Sequence, residues 1–339
     1  MTNKYSSILI VFGLILLTFF EYRTISIMQV SNLSGQIDSA LGVLSGHPHW
    51  KTYQSRLLGP VTVAVLSHFS HQSFSFCYQI TCFILLIVAN SICFFVFRRA
   101  GGRPDLAWAY TFAYASLFAA LQDRAWLYLW DYIDLLTLML FAYAVFTRAP
   151  LWKFVVIFFI ELLNREAANF IALWIIIDSV NFKFSSLARS KRLNLHWRQA
   201  VTGFLLIVVG VTWTNFIRDR LFVHQALTLL PGSHMIGDEF WELPHTLHAL
   251  KHAPRFDALV PIIVVSVIIF SLIRAWEKMG EQAWKICLLL CGMVTSIFMF
   301  AIVTETRVWF EVLPFLFWLI YRGNSAAQPS SSILAVSAI

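Results

Sequence analysis

The sequence contains few charged residues. Only 13% of its 339 residues are Asp, Glu, Lys or Arg, whereas soluble domains usually carry about 25%. This scarcity excludes an ordinary soluble enzyme, whose surface needs charged groups. In contrast, 59% of the residues are hydrophobic. The 31 Phe and 13 Trp residues suit lipid-facing and interfacial positions. The composition therefore predicts a polytopic membrane protein.

Several signatures of soluble function are also missing. The five cysteines all lie within apolar runs and lack the paired spacing of a zinc site. No glycine-rich nucleotide-binding motif is present. His245, His248 and His252 have no carboxylate at zinc-site spacing, so we expect no protein-bound metal there. These absences argue against a disulfide framework and against a metalloenzyme.

Apolar runs of membrane length predict an all-α transmembrane bundle of about ten helices, with about eight to twelve as the range. The predicted spans are 6–27, 74–97, 106–121, 130–146, 151–163, 167–180, 201–216, 259–273, 286–303 and 309–321. A shorter run, 56–69, contains Gly59-Pro60 and is predicted to be re-entrant or interfacial. We expect one transmembrane domain over 1–323 and a flexible cytoplasmic tail over 324–339.

The charge distribution predicts the orientation. Lys4 and the run 8–20 resemble a signal peptide, but no cleavage site follows, so we expect a retained helix. With the N-terminus inside, the inner side holds most of the 25 basic residues. Only four of the 18 acids accompany them: Asp105, Asp178, Glu277 and Glu281. The loops 98–103 and 183–198 carry most of this bias. The net charge of +7 thus reflects topology and does not indicate a nucleic-acid partner.

Charged and amide residues lie beside these apolar runs on the predicted outer side. Asp131 and Asp134 are three residues apart and share one helical face. They could bind a cation or supply a general base. Alternatively, Asp131 caps its helix, and Asp134 pairs with Arg124 or with another span.

Further polar residues fall at the same predicted level. Asn164-Arg165-Glu166 forms the tip between two short runs, where Arg165 offers a fork for phosphate and Glu166 a base or a partner for that Arg. Arg56 precedes an apolar run and suits either a phosphate contact or interfacial snorkelling. Arg307 and Glu311 fit a local ion pair, which leaves Glu305 unmatched. Because dispersed charges in lipid are costly, we expect these groups to line one outward-facing cavity.

The order of these elements resembles small bacterial membrane proteins related to the GT-C glycosyltransferases. Its elements are an outer first loop with Asp38, Arg56-Leu57-Leu58-Gly59-Pro60, Asp131-Tyr132-Ile133-Asp134, Asn164-Arg165-Glu166, and Glu305-Thr306-Arg307 followed by Leu313-Pro314. The likeness covers most of the membrane region. The chain differs from the common pattern in two respects: the first outer loop has no acidic pair, and no soluble C-terminal domain follows.

The resemblance implies a multi-pass glycosyltransferase of the bacterial inner membrane, acting at the periplasmic face in surface polysaccharide or glycolipid synthesis. Its partners would be a polyprenyl-phosphate-linked sugar donor, a lipid or glycan acceptor and membrane lipids. It implies no cofactor and leaves a divalent cation open. Asp38 or Glu166 would deprotonate the acceptor, and Arg56, Arg165 and Arg307 would hold the donor phosphate, with Asp131, Asp134, Asn164 and Glu305 lining the cavity. The alternatives are a transporter or flippase component, and an O-antigen polymerase or acyltransferase.

Overall fold

The computed structural model describes residues 2–46, 56–101, 103–121, 127–183, 192–222, 243–252, 255–301, 303 and 306–324. Within these ranges the chain forms thirteen α-helices: α1 Thr2–Gln29, α2 Leu33–Ser45, α3 Leu58–Ser70, α4 Phe74–Gly101, α5 Pro104–Ala120, α6 Leu129–Phe146, α7 Leu151–Leu162, α8 Ala168–Asp178, α9 Trp197–Ile217, α10 Leu243–His252, α11 Arg255–Met279, α12 Gln282–Phe300 and α13 Leu313–Asn324. A π-helical turn, Arg218–Phe222, follows α9, and a 3-10 helix, Thr306–Glu311, precedes α13.

The predicted all-α membrane architecture is confirmed at this level. Six of the described helices are long and apolar enough to cross a membrane: α1, α4, α6, α9, α11 and α12. The other apolar runs form helices that are too short to be counted as spans. By length and composition the described residues therefore give six candidate spans, fewer than the ten predicted. A short antiparallel hairpin was not predicted: β1 Val180–Lys183 pairs with β2 Arg192–Leu195, with Val180 opposite Leu195.

Helix α6 lies at the centre of the bundle. Of the residues in its apolar window, 83% are buried, against 22% for α1 and for α11. It packs against α4, α7, α13 and α3. A helix that is apolar on every side can be surrounded by protein or by lipid, and the burial of α6 shows that protein surrounds it. The apolar faces of α1 and α11 stay exposed, as expected for surfaces that contact lipid. Polar groups on α6 are therefore held inside the protein.

Helices α7 and α8 form a hairpin of two half-length helices. At 1.5 Å per residue they are about 18 and 16 Å long, well short of the roughly 30 Å of a hydrocarbon core. They pack against each other, and their connection, 163–167, lies beside the start of α6. The sequence Asn164-Arg165-Glu166 is therefore a hairpin tip inserted into the bundle.

Helix α3 begins and ends at this same end of the bundle, which we call the site end. The backbone N–H of Leu58 donates to Leu163 O at 2.9 Å, and Gly59 lies against the side chain of Leu129. At its other end Ser70 contacts Cys77 in the first turn of α4. The Tyr78 hydroxyl in turn accepts from the N–H of Leu129 at 3.1 Å. This placement agrees with a re-entrant or interfacial segment.

Candidate functional site

The site begins where α6 starts. The backbone N–H of Tyr128 donates to Asp131 Oδ2 at 2.8 Å, so Asp131 caps its own helix in the third helical position. Such a cap satisfies a backbone donor that the first helical turn cannot. The capping role weighed for Asp131 is therefore present. Its other carboxylate oxygen faces the hairpin tip, where Arg165 Nη1 lies 3.7 Å from Asp131 Oδ1.

Asn164 fixes the hairpin tip against α6. It is fully buried, and its side-chain amide donates to Asp134 Oδ1 at 2.9 Å and to the carbonyl oxygen of Trp130 at 3.1 Å. Its own Oδ1 atom is buried and accepts no hydrogen bond within the described chain. Asp134 is 1% exposed. The pair therefore forms the buried floor of the site.

Arg165 sits among three carboxylates. Its Nη1 atom is hydrogen-bonded to Asp134 Oδ2 and faces Asp131, and its Nη2 atom lies 3.3 Å from Glu311 Oε1. Asp134 therefore pairs with Arg165 of the hairpin tip, which lies between two predicted spans; Arg124, considered as its partner from the sequence, falls outside the described residues. Glu311 therefore pairs with Arg165, a residue distant in the sequence, and not only with residues of its own segment. The segment 306–311 is a 3-10 helix, in which residues three apart eclipse and residues four apart do not share a face.

The charge of Arg165 is held firmly by these partners. Burial by itself would lower the pKa of the Arg165 guanidinium. The carboxylates of Asp134, Glu311 and Asp131 outweigh burial and raise the pKa of Arg165 well above its usual value. Because both of its Nη atoms face protein carboxylates, Arg165 holds the acidic side chains of the site in position.

Two further arginines flank an aromatic stack at the start of α6. The rings of Tyr128 and Trp130 are stacked, with centroids 4.7 Å apart. The guanidinium of Arg56 lies 5.2 Å from the Trp130 ring centroid, and that of Arg307 lies 5.5 Å from the Tyr128 ring centroid. Both distances are within cation–π range. A planar guanidinium group can pair with a phosphate or carboxylate through two parallel hydrogen bonds.

All three arginines act electrostatically on one carboxylate. Arg307, Arg165 and Arg56 each interact with Asp131, and Arg56 and Arg165 also interact with Glu311. Residues from four separate parts of the sequence, near positions 56, 131, 165 and 309, therefore meet at the site end. Sequence proximity alone does not bring these segments together.

Glu166 has a partner that the sequence did not indicate. Arg218 Nη2 donates to Glu166 Oε1 at 2.6 Å, from the π-helical turn after α9. The Glu166 side chain is 35% exposed, more than Asp131, Asp134 or Glu311. Arg218 was missed because it follows a long apolar run and reads as a flanking charge. Glu166 is thus an accessible carboxylate next to the buried cluster.

A buried acid was also missed. Glu161, in the last turn of α7, is fully buried and accepts a hydrogen bond from the Thr137 hydroxyl. It also interacts directly with Asp134. The available signal was a single carboxylate within the apolar sequence Ile157 to Leu163, because a bilayer normally excludes such a group unless protein surrounds it.

Asp38 lies apart from the cluster. The buried face of α2 consists of Gln36, Ser39, Ala40 and Val43, and Val43 packs with Tyr128 and Trp130. Asp38 is exposed and lies off this face. It makes no hydrogen bond or ion pair with any residue that the structure describes. Glu305 falls outside the described residues.

A separate cavity of about 200 Å³ opens at the opposite end of the bundle, between α6, α8, α9 and α12. There Lys285 Nζ donates to Asp178 O and Oδ1, both at 3.0 Å, and to Asn181 Oδ1 at 2.8 Å. Its three donors are thus used in joining α12 to α8 and the β-hairpin.

Across the ranges that the structure describes, no three His, Cys, Asp or Glu side chains are grouped to hold a metal ion. The site instead consists of arginines, carboxylates, one amide and two stacked aromatic rings. Such a set can bind an anionic group and hold a carboxylate ready to accept a proton. The chain matches no family model, no curated protein and no solved structure.

Proposed function

We propose that this protein is a GT-C-like membrane glycosyltransferase that takes a sugar from a polyprenyl-phosphate donor at the predicted outer, periplasmic face of the bacterial inner membrane. The observation that carries the proposal is the meeting of three arginines at the start of α6, at one end of an apolar bundle. Arg165 lies 3.7 Å from Asp131, and Arg56 and Arg307 lie over the rings of Trp130 and Tyr128. A lipid-linked phosphate needs cationic groups at the end of a membrane-embedded path. Arginine clusters stabilise the negative charge that develops on a leaving phosphate.

The three arginines take different parts in this proposal. Arg56 and Arg307, supported by the rings of Trp130 and Tyr128, would contact the donor phosphate. Arg165 would hold Asp134 and Glu311 in place, because its guanidinium already faces carboxylates at both ends. This is a narrower role than the phosphate contact expected for it from the sequence.

Glu166 is the favoured general base. It is the most exposed carboxylate among Asp131, Asp134, Glu311 and Glu166, and Arg218 holds it in a fixed position. In this role it would accept the proton of the acceptor hydroxyl as the hydroxyl oxygen attacks the sugar and the phosphate leaves. Asp38, exposed and off the packed face of α2, is the weaker candidate.

Binding and transfer test different parts of the proposal. Purified protein in nanodiscs is expected to be stabilised against heat by a polyprenyl phosphate, and Arg307→Gln and Arg56→Gln to lose that stabilisation. Arg103→Gln is the matched control, because Arg103 forms an exposed ion pair with Asp105 outside the site. Equal stabilisation of the wild-type protein and the three variants would refute the proposed phosphate site.

Transfer is measured as release of polyprenyl phosphate from a panel of polyprenyl-phosphate-linked hexoses. We expect Glu166→Gln to lower the rate by about 10²- to 10⁴-fold, the usual contribution of a general base, and Asp38→Asn to keep it. Loss of activity in Asp38→Asn alone would assign the base to Asp38. Full activity of both variants would refute the acid–base role of this site.

One observation favours a transporter as the second candidate. The α7–α8 hairpin consists of two half-length helices that meet at a polar tip inside the bundle, and discontinuous helices of this kind form substrate sites in transporters. Uptake or flipping of a labelled polyprenyl-phosphate sugar by proteoliposomes, without release of polyprenyl phosphate, would select this function over transfer.

A further inference from the structure

A second buried polar cluster lies between α1 and α4. Thr18 and Glu21 belong to α1 and Asn90 to α4, and they are 0%, 6% and 1% exposed. About 12 Å of helix separates Glu21 from the end of α1 at Gln29, and about 24 Å separates Asn90 from the start of α4 at Phe74. Both helices are of membrane-spanning length. The cluster therefore lies well inside the apolar part of the bundle.

The hydrogen bonds of this cluster distinguish the two carboxyl oxygens of Glu21. Asn90 Nδ2 donates to Glu21 Oε2 at 2.6 Å and to Thr18 Oγ1 at 3.0 Å. Glu21 Oε1 is buried and has no hydrogen-bond partner within the described chain. Oε2 thus acts as an acceptor, which is the role of the carbonyl oxygen in a protonated carboxyl group.

Glu21 has no cationic partner among the residues that the structure describes. The titratable groups that interact electrostatically with it are Cys93 on α4, Tyr114 on α5 and Tyr132 on α6, and all are neutral in their ordinary state. Arg23 is exposed, and residues two apart on a helix do not face each other. Glu21 forms no ion pair with any residue of the described ranges. An unpaired carboxylate buried in apolar surroundings takes up a proton instead of remaining charged.

From this geometry we propose that Glu21 is a proton-binding site within the membrane bundle, protonated at neutral pH, with its proton on the unpartnered Oε1. The site goes beyond the proposed transferase function and does not depend on it.

A protonated carboxyl group in an apolar setting has a diagnostic reaction with hydrophobic carbodiimides. The acid adds across one C=N bond: its proton goes to a carbodiimide nitrogen, and its oxygen forms a bond to the central carbon. The O-acylisourea then rearranges to a stable N-acylurea. Nothing is oxidised, reduced or released, so the modified peptide gains the mass of one whole carbodiimide. An ionised carboxylate lacks the required proton.

The test treats the full-length protein in membranes with dicyclohexylcarbodiimide at about pH 8, well above the ordinary pKa of Glu, and maps the label by mass spectrometry. We expect the label on the Glu21 peptide and its loss in Glu21→Gln. Asp38, an exposed carboxyl of the same protein, is the internal control and should remain unmodified. Labelling of Glu21 only near pH 5 would overturn the proposal, because it would show a carboxylate that is ionised at neutral pH.

Infrared spectroscopy tests the proposal even if close packing prevents the carbodiimide from reaching Glu21. The wild-type protein should show a protonated-carboxyl stretch that shifts in D₂O and that loses intensity in Glu21→Gln, while the unfolding midpoint stays unchanged. In Asn90→Leu this band should persist at higher frequency, because Oε2 loses its donor. Identical wild-type and Glu21→Gln spectra in this region would refute a protonated Glu21, whatever the labelling shows.

Discussion

At the scale of single residues, the site is organised around one arginine. Arg165 joins Asp134 and Asp131 on α6 to Glu311 before α13. The sequence indicated that these charges would need partners, since unpaired charges in a bilayer are costly. It could not indicate which partner each would take. Arg165 is 31 positions from Asp134 and 146 from Glu311, and they meet only through the packing of the α7–α8 hairpin against α6 and the segment before α13.

Arg165→Met is therefore expected to destabilise the protein as well as alter its activity. Removing one partner of a buried ion pair typically costs about 3–5 kcal/mol, because the remaining charge stays buried without compensation. The midpoint of chemical unfolding in mixed micelles reports this loss.

Arg103→Met provides the comparison, since an exposed ion pair such as Arg103–Asp105 contributes only about 0–1 kcal/mol. Adding Asp134→Asn to Arg165→Met should restore part of the stability, because the stranded charge is then gone. Equal destabilisation by the two single variants would contradict the central role of Arg165.

At the scale of elements, close helix packing depends on small residues. A Cβ atom on Gly203 of α9 would lie 2.7 Å from Ile176 Cγ1 and 2.9 Å from the backbone oxygen of Ala172 on α8. The side chain of Ile176 could rotate away, but the backbone of α8 could not move so easily. Small residues commonly permit such approach between membrane helices. This contact holds the α7–α8 hairpin, and with it Arg165, against α9.

Gly203→Ala is expected to destabilise the protein by about 1–3 kcal/mol through overpacking, despite the better helix propensity of alanine. Gly292→Ala in α12 is the matched change, because a Cβ atom there meets only Leu173 Cδ2, at 3.2 Å. That variant should be neutral or slightly stabilised. Thermal unfolding of both proteins in the same detergent measures the difference, and greater damage from Gly292→Ala would disprove this account of the α8–α9 contact.

At the scale of the whole molecule, the central position of α6 explains where the site lies. Its window is 83% buried, so polar groups at its start are enclosed by α3, α4, α7 and the segment before α13. The opposite end of the bundle carries the basic residues that the positive-inside rule assigns to the cytoplasm. The predicted topology thus makes the site end periplasmic.

Single cysteines in a cysteine-free background test this orientation. A membrane-impermeant maleimide added to intact cells should label cysteines at positions 38 and 123 and spare those at 147 and 190. The first two lie on the predicted outer side and the last two in predicted inner loops, where short basic segments are retained. Labelling of position 190 in intact cells would reverse the model of the topology.

The sequence by itself determined the class of the protein and the candidates for its site. Scarce charge and long apolar runs require a helical membrane protein, because only helices satisfy every backbone group within their own segment. Such runs also make each embedded charge conspicuous, which is why Asp131, Asp134, Asn164, Arg165 and Arg307 could be selected.

The tertiary structure alone decided how these residues are used. The sequence predicted two short runs with Asn164-Arg165-Glu166 as the tip between them, but only packing showed that this tip lies against the start of α6. The sequence also could not assign Arg218 to Glu166, or place Asp38 off the packed face of α2. A hydrophobic run reports how apolar a helix is, whereas partners and depth depend on which helices surround it.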